Sequence, residues 1–287
     1  MQDKQVELYE VGPRDGLQNE PKKIATADKI ALVNSLNEVG FSLIEATSFV
    51  SPKWVPQLGD ASALMAGIER KKGVRYAVLT PNMRGYEDAR NAGADEIAVF
   101  GAATEGFSQK NINCSMEESL ERFRPVVKAA LRDNIAARGY ISVVTHCPYD
   151  GAVSAQAVLD MAEAMLDMGC YEISLGDTTG HATPETVSAL LDLVAKKLPP
   201  KILVGHFHDT RNRAVENVMI CLEYGVRKFD ASVSGLGGCP FSPGAKGNVS
   251  TKLLHDKLTE KGWHTGLDRQ ALEKSEALVA QMGITPR

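Results

Sequence analysis

KILVGHFHDT, residues 201–210, is an apolar run that stops abruptly in His206, Phe207, His208 and Asp209. Side chains of a β-strand alternate faces, so His206 and His208 point the same way, roughly 6–7 Å apart along the chain. Two imidazoles at that spacing can grip one metal ion. On its own, an HxH is more often a pair of ordinary strand-end histidines. Its surroundings decide, because an apolar strand with polar residues crowded at its C-terminal end recurs along this chain.

Working outward, strand-like and helix-like segments alternate. Strands are read at VELYEVG (6–12), SLIEATSF (42–49), VRYAVLT (74–80), EIAVFGA (96–102), GYISVVT (139–145), YEISLGDT (171–178), KILVGHFH (201–208) and RKFDASVSG (227–235). Residues 26–39 place Ile30, Val33, Leu36 and Val39 at helical spacing, and further helices are read at 56–70, 83–92, 116–134, 154–168, 184–197 and 210–224. Gly40, Gly93, Gly169 and Gly225 fall just before strands, where a helix C-cap needs glycine. Strands each followed by a helix or a capping segment predict a TIM (β/α)8 barrel, not an open doubly wound sheet. The expected organisation is one α/β catalytic domain over 1–287, with the barrel at about 1–250 and a C-terminal helical cap at about 250–287. Leu253, Leu254, Leu258, Leu272 and Leu278 in that cap pack across the barrel or against a partner subunit.

Composition narrows the function classes. With 44% hydrophobic and 24% charged residues in 287, the chain can bury one large core. No signal-peptide pattern opens it and no apolar run approaches the ~18 residues that span a bilayer, so a soluble, cytoplasmic protein without membrane contact is expected. Five cysteines without a CxxC pair argue for reduced thiols. A formal charge of −4 offers no broad basic field for nucleic acid. Neither GxGxxG after the first strand nor GxxxxGK[ST] occurs, which removes the usual support for dinucleotide and P-loop readings.

In a barrel, chemistry gathers at the C-terminal strand ends. The first strand runs into Gly12-Pro13-Arg14-Asp15-Gly16-Leu17-Gln18, the second carries Glu45 beside Thr47 and Ser48, the sixth ends in Asp177-Thr178, and the seventh in the two histidines. Burying such groups is costly without a partner or a task. A purely structural ion pair of Glu45 with Arg14 is the alternative to a role in chemistry. After the eighth strand, glycines 235, 237, 238, 244 and 247 make a loop able to approach a ligand closely, with Cys239 between Gly238 and Pro240. A thiol so placed is a better catalytic candidate than an ordinary buried cysteine.

GPRDGLQNE (12–20), IEATSFVSPKWVPQ (44–57), FGAATEGFSQKNINCS (100–115), CYEISLGDT (170–178), HFHDT (206–210) and SGLGGCPFSPGAKGN (234–248) together resemble the 3-hydroxy-3-methylglutaryl-coenzyme A lyase family. The resemblance runs through nearly the whole chain. It implies a divalent metal held by Asp15, His206, His208 and Asn248. Such oxygen and nitrogen donors suit an octahedral Mg2+ or Mn2+ better than a tetrahedral structural zinc. It makes Arg14 the residue that steadies charge on the reacting thioester, Glu45 its orienting partner, and Cys239 the thiol of a closing loop. Gln18, Ser48, Asn111, Tyr140, Ser174, Asp177 and Thr178 would line the substrate pocket. Asp15, His206 or water could take the substrate's hydroxyl proton, and Cys239, Asp15 or His206 could protonate the enolate carbon.

The implied activity is retro-Claisen cleavage of (S)-3-hydroxy-3-methylglutaryl-CoA to acetyl-CoA and acetoacetate, in a homodimer. Longer branched 3-hydroxyglutaryl thioesters, a related condensing enzyme, and a metal-stapled barrel without turnover are the alternatives. The chain departs from the family pattern at His146, Arg211, Asn212, Lys246 and Lys252, which puts acyl-chain preference in question.

Overall fold

The structure, a computed structural model, describes residues 4–238 and 247–284. Eight parallel strands close a barrel: β1 (Glu7–Glu10), β2 (Leu43–Ser48), β3 (Arg75–Leu79), β4 (Glu96–Ala102), β5 (Ala136–Ser142), β6 (Ile173–Asp177), β7 (Leu203–Phe207) and β8 (Lys228–Ala231). Each pairs with its sequence neighbours, and β1 pairs with β8 to complete the ring, Tyr9 standing beside Asp230. Around it lie α1 (Thr26–Leu36), α2 (Ala61–Gly67), α3 (Met83–Asn91), α4 (Glu105–Ile112), α5 (Met116–Arg132), α6 (Ala155–Met168), α7 (Pro184–Lys197) and α8 (Ala214–Glu223). The main apolar core fills the layer between strands and helices, from Leu8 and Ile44 to Val218 and Phe229. Two further helices, α9 (Thr251–Glu260) and α10 (Arg269–Gln281), follow β8. Leu254, Leu258 and Leu272 join the main core from these helices, whereas Leu253 is exposed.

Several boundaries differ from the sequence reading, each for a local reason. Residues 56–70 break into a 3-10 turn, Pro56–Leu58, and α2, with Asp60 between them drawn to Lys29 and Thr26. The fifth strand starts at Ala136 and ends at Ser142, because Val143 takes a left-handed φ of 57° that a β-branched residue adopts only under constraint. Pro200–Ile202 form a 3-10 turn, so the seventh strand begins at Leu203. The helix after it begins at Ala214, whose N–H is taken by the Asp209 carboxylate. α4 escaped the sequence reading. It starts where the Thr104 hydroxyl accepts the Phe107 N–H.

The barrel interior is charged. Arg138 on β5 reaches past β6 and β7 to Asp230 on β8, with Nη2 2.6 Å from Oδ1. Tyr140 on β5 likewise crosses to Glu45 on β2, Oη to Oε2 at 3.1 Å. At the N-terminal strand ends, Arg75 pairs with Glu96 at 2.6 Å and Lys228 with Glu172 at 2.7 Å. Tyr9, Leu43, Ala77 and Val204 form a small apolar cluster of their own, separate from the main core.

Candidate active site at the C-terminal mouth

β1 ends in a one-turn π-helix, Gly12–Gly16, in which the N–H groups of Arg14, Asp15 and Gly16 converge on the Val11 carbonyl at 2.8–3.2 Å. This tight turn presents Arg14 and Asp15 side by side at the barrel mouth. Glu10 braces it from beneath: one carboxylate oxygen accepts the N–H groups of Gly12 and Val233, the other the Thr251 hydroxyl, each at 2.8 Å. A Cβ on Gly12 would fall 2.6 Å from that carboxylate, so only glycine fits. Burial pushes the Glu10 carboxyl up to about 7, against these hydrogen bonds, which favour the anion.

Arg14 Nε donates to Glu45 Oε2 at 2.7 Å and Nη1 to Asp15 Oδ1 at 2.5 Å. The β2–β3 register slips between Glu45 and Thr47, where the strand carrying Glu45 bulges. The Glu45 carboxylate thus lies directly against the Arg14 guanidinium, both groups buried.

Asp15, His206 and His208 bring donor atoms within 4.8 Å of one another. His206 lies inside β7, with its Nδ1 3.0 Å from Asp230 Oδ2, so Nε2 is the nitrogen left for a cation. His208 lies one residue past the strand, bridged to Asn248, and its Nε2 is 3.9 Å from Asp15 Oδ2. Asn248 donates its amide to Asp15 Oδ2 at 2.7 Å and to the Leu236 carbonyl at 3.2 Å, while its Oδ1 is buried without a partner. Burial would raise the Asp15 carboxyl, but Arg14 and the two imidazoles outweigh it and hold it well below the usual range. Burial and the neighbouring His206 bring His208 down to about 4, which leaves its imidazole neutral at pH 7. An anionic carboxylate, a neutral imidazole, a second imidazole fixed by Asp230 and an unpaired amide oxygen fit a divalent cation.

The other expected residues divide. Tyr140 lies in the interior against Glu45, and Gln18 is half-buried at the end of the helical turn that carries Arg14 and Asp15. The Ser48 hydroxyl accepts the Val50 N–H. Ser174 donates to Asp230 Oδ2 at 2.7 Å, the oxygen that also meets His206. Asp177 takes the N–H groups of His181 and Ala182, and Thr178 that of Val143, so these side chains tie the loops after β5 and β6. Burial pushes the Asp177 carboxyl up to about 6. Asn111 is exposed near the end of α4. Cys239 and Lys246 lie outside the described residues. Lys252 turns from the mouth to Glu273 and Glu276 on α10, each at 3.7 Å.

Three site-supporting residues went unread: Glu10, Arg138 and Asp230. Asp230 was visible as a charge inside RKFDASVSG, and Glu10 as one inside VELYEVG. Arg138 fell just before the strand read at 139–145.

Residues 5–279 match the HMGL-like family. Hydroxymethylglutaryl-CoA lyase, mitochondrial, of Gallus gallus is 52% identical over 267 residues, covering 93% of this chain and 90% of that protein. The 3-hydroxy-3-methylglutaryl-CoA lyase, cytoplasmic, of Mus musculus is 51% identical over 263 residues, 92% of this chain and 77% of that one. The crystal structure of the HMG-CoA lyase from Brucella melitensis superposes with a TM-score of 0.95 at 56% identity, covering 97% of this chain and 98% of that one. With its barrel, its mouth residues and a match over nearly its whole length, this chain belongs to the HMGL-like family.

Proposed function

We propose that this protein is a carbon–carbon lyase that cleaves 3-hydroxy-3-methylglutaryl-CoA to acetyl-CoA and acetoacetate. The observation that carries this is the convergence of Arg14, Asp15, Glu45, His206, His208 and Asn248 on one barrel mouth, in a chain about half identical to lyases of that name. Asp15, His206, His208 and Asn248 would hold Mg2+ or Mn2+, which supplies Lewis acidity toward the substrate's 3-hydroxyl when bound.

The chain's own groups do the rest. The hydroxyl proton goes to Asp15, His206 or a water beside them, the C2–C3 bond breaks, and the former hydroxyl carbon becomes the ketone of acetoacetate. The electron pair of that bond passes to the thioester as an enolate, whose oxygen Arg14 stabilises with donors held in place by Glu45. Protonation of the enolate carbon, by Cys239, Asp15 or His206, completes acetyl-CoA. Tyr140, Gln18, Ser48, Ser174, Asp177, Thr178 and Asn111 are proposed to shape the acyl pocket, Ser174, Asp177 and Thr178 through the residues they brace.

A single catalytic domain, a homodimeric assembly and a cytoplasmic location belong to the same proposal. Among the described residues no helix is long and apolar enough to cross a membrane, and the two named relatives carry both compartment labels. The test is acetoacetate formation from the thioester by chelator-stripped protein, before and after Mg2+ or Mn2+ is returned. Cleavage should vanish and come back. Full turnover in metal-free protein, or none with either ion, rejects the reading.

A further inference from the structure

Arg138 is 1% exposed, the largest of the fully buried side chains, and lies in the barrel interior away from the mouth turn. Two of its nitrogens start chains of contacts that end at the site. Nη2 meets Asp230 Oδ1 at 2.6 Å, and Asp230 Oδ2 meets Ser174 Oγ at 2.7 Å and His206 Nδ1 at 3.0 Å. Nη1 meets Tyr140 Oη at 3.0 Å, and that oxygen lies 3.1 Å from Glu45 Oε2, the atom that also takes Arg14 Nε. The third nitrogen, Nε, is 3.1 Å from Glu172 Oε1. The guanidinium carbon sits 4.7 Å from the centroid of the Tyr140 ring and 5.1 Å from that of Tyr9, within cation–π range of both.

We propose that Arg138 is a positioning residue that sets both halves of the site together, the ring of His206 and the guanidinium of Arg14. The proposal takes the site's chemistry from the lyase reading, but the contacts stand without it. The directions of the bonds carry it. A guanidinium offers only donors. The Tyr140 oxygen facing Arg138 therefore accepts, and the phenol's single hydrogen is left for Glu45. Asp230 accepts in the same way, so the hydrogen of the His206 contact belongs on Nδ1, and Nε2 keeps its lone pair for a cation. One planar fork thus fixes a tautomer on one side and the direction of a hydroxyl on the other. Lysine, a point donor on a flexible stem, can serve one arm but not both.

The competing role is charge balance alone, with Arg138 present only to neutralise Asp230 and Glu172. Because Arg138→Met leaves those carboxylates buried and short of a partner, it is made alone and with Glu172→Gln, and Arg138→Lys is made beside them. Mn2+ affinity is read without substrate, from the paramagnetic resonance of free Mn2+, and kcat is read at saturating Mn2+. In folded Arg138→Met, alone or with Glu172→Gln, the affinity should fall about 10–100-fold, and kcat should stay at least about 10-fold below wild type when the metal is saturating. Arg138→Lys should lose less than Arg138→Met. Glu172→Gln alone should keep both quantities, since it removes a charge without touching either arm. Wild-type Mn2+ affinity in folded Arg138→Met, a kcat of that variant fully restored by excess Mn2+, or an Arg138→Lys protein that keeps both quantities overturns the proposal. If the wild-type protein cleaves no thioester, the lyase reading fails, and the Mn2+ comparison by itself supports or overturns the positioning of His206.

Discussion

The two ends of this barrel are both polar, both buried, and differently finished. At the N-terminal end the buried carboxylates stand against cations and a shared phenol: Glu96 meets Arg75 and Tyr171, and Glu172 meets Lys228 and Tyr171, with Arg138 Nε 3.1 Å away but outside hydrogen-bond geometry. Taken through the whole interior, formal charge balances, with Arg75, Arg138 and Lys228 against Glu96, Glu172 and Asp230, the last level with His206. At the C-terminal mouth, Glu45 Oε1, Thr47 Oγ1, His208 Nδ1, Ser234 Oγ and Asn248 Oδ1 are buried without partners. Arg14 alone faces two carboxylates. A closed network holds a fold together. An open one, short of positive charge, suits the cation and substrate proposed for it, since orphaned buried polar atoms are costly.

The sharpest way to break this contrast is to remove the matched arginines. Arg14→Met takes away the donor aimed at developing enolate charge and should cut kcat about 100–1,000-fold. Arg75→Met removes an equally short pair, 2.6 Å to Glu96, from the closed end, where the arginine side chain is 38% exposed. With solvent screening it should cost about 1–2 kcal/mol of stability and leave kcat unchanged. Turnover and urea denaturation on both variants check this. Equal losses of kcat would show that the two ends are not functionally distinct.

Glu10 gives the next largest effect. Its folded pKa of about 7 lies above the ordinary value of 4.5, so the folded state holds a proton there that the unfolded chain has released. Stability from this group is fully present below about 4.5 and gone once pH has risen through 7. The span amounts to on the order of 3 kcal/mol. Glu10→Gln keeps the shape and cannot titrate, so the fall of wild-type stability relative to this variant between pH 4.5 and 7 should be visible in denaturation midpoints. Parallel pH profiles would mean that the brace beneath the mouth turn is not a titrating group.

The contrast between the ends also explains what could be read from the chain. The barrel was legible because strand and helix periods alternate and helix-ending glycines recur. The mouth was legible because Arg14, Asp15, Glu45 and the two histidines each sit where an apolar run stops. The closed network was not, because Arg138, Glu172 and Asp230 sit within or just before apolar runs, and nothing in a strand's period says which residues meet across a barrel. His208 shows a finer limit. Alternation put it on the face of His206, yet the strand ends at Phe207, and the bridge to Asn248 holds His208 beside Asp15. The sequence reading grouped Asp15, His206, His208 and Asn248 without the bridge between His208 and Asn248 that brings two of them together.

That tie can be tested directly. His208→Ala should weaken Mn2+ binding roughly 10–100-fold while circular dichroism shows an intact barrel, because it removes a donor from the open end and no partner from the closed one. Unaltered Mn2+ titration in the variant would exclude His208 as a ligand.

The smallest expected effect asks how far the open end extends. His146 and His181, from the loops after β5 and β6, stack with ring centroids 4.7 Å apart at 20°. Burial, then the nearby His181 and Arg211, push His146 below its usual pKa. Arg211, exposed in the turn after β7, also acts on Asp177 at the end of β6. Three loops therefore meet electrostatically at the rim, and His146 Nδ1 is buried there without a partner, as the atoms of the mouth are. If the rim belongs to the site, it sets how long an acyl branch fits, and a difference of one methylene in a pocket is worth about 10-fold or more in kcat/KM. The double replacement His146→Gly with Arg211→Tyr should then shift the ranking of short against long branched 3-hydroxyglutaryl thioesters by about that factor, with Mn2+ affinity unchanged. The measurement is kcat/KM across a series of increasing branch length. A ranking that survives the replacement confines the open network to the metal-site residues and Arg14, and makes the stacked pair part of the scaffold.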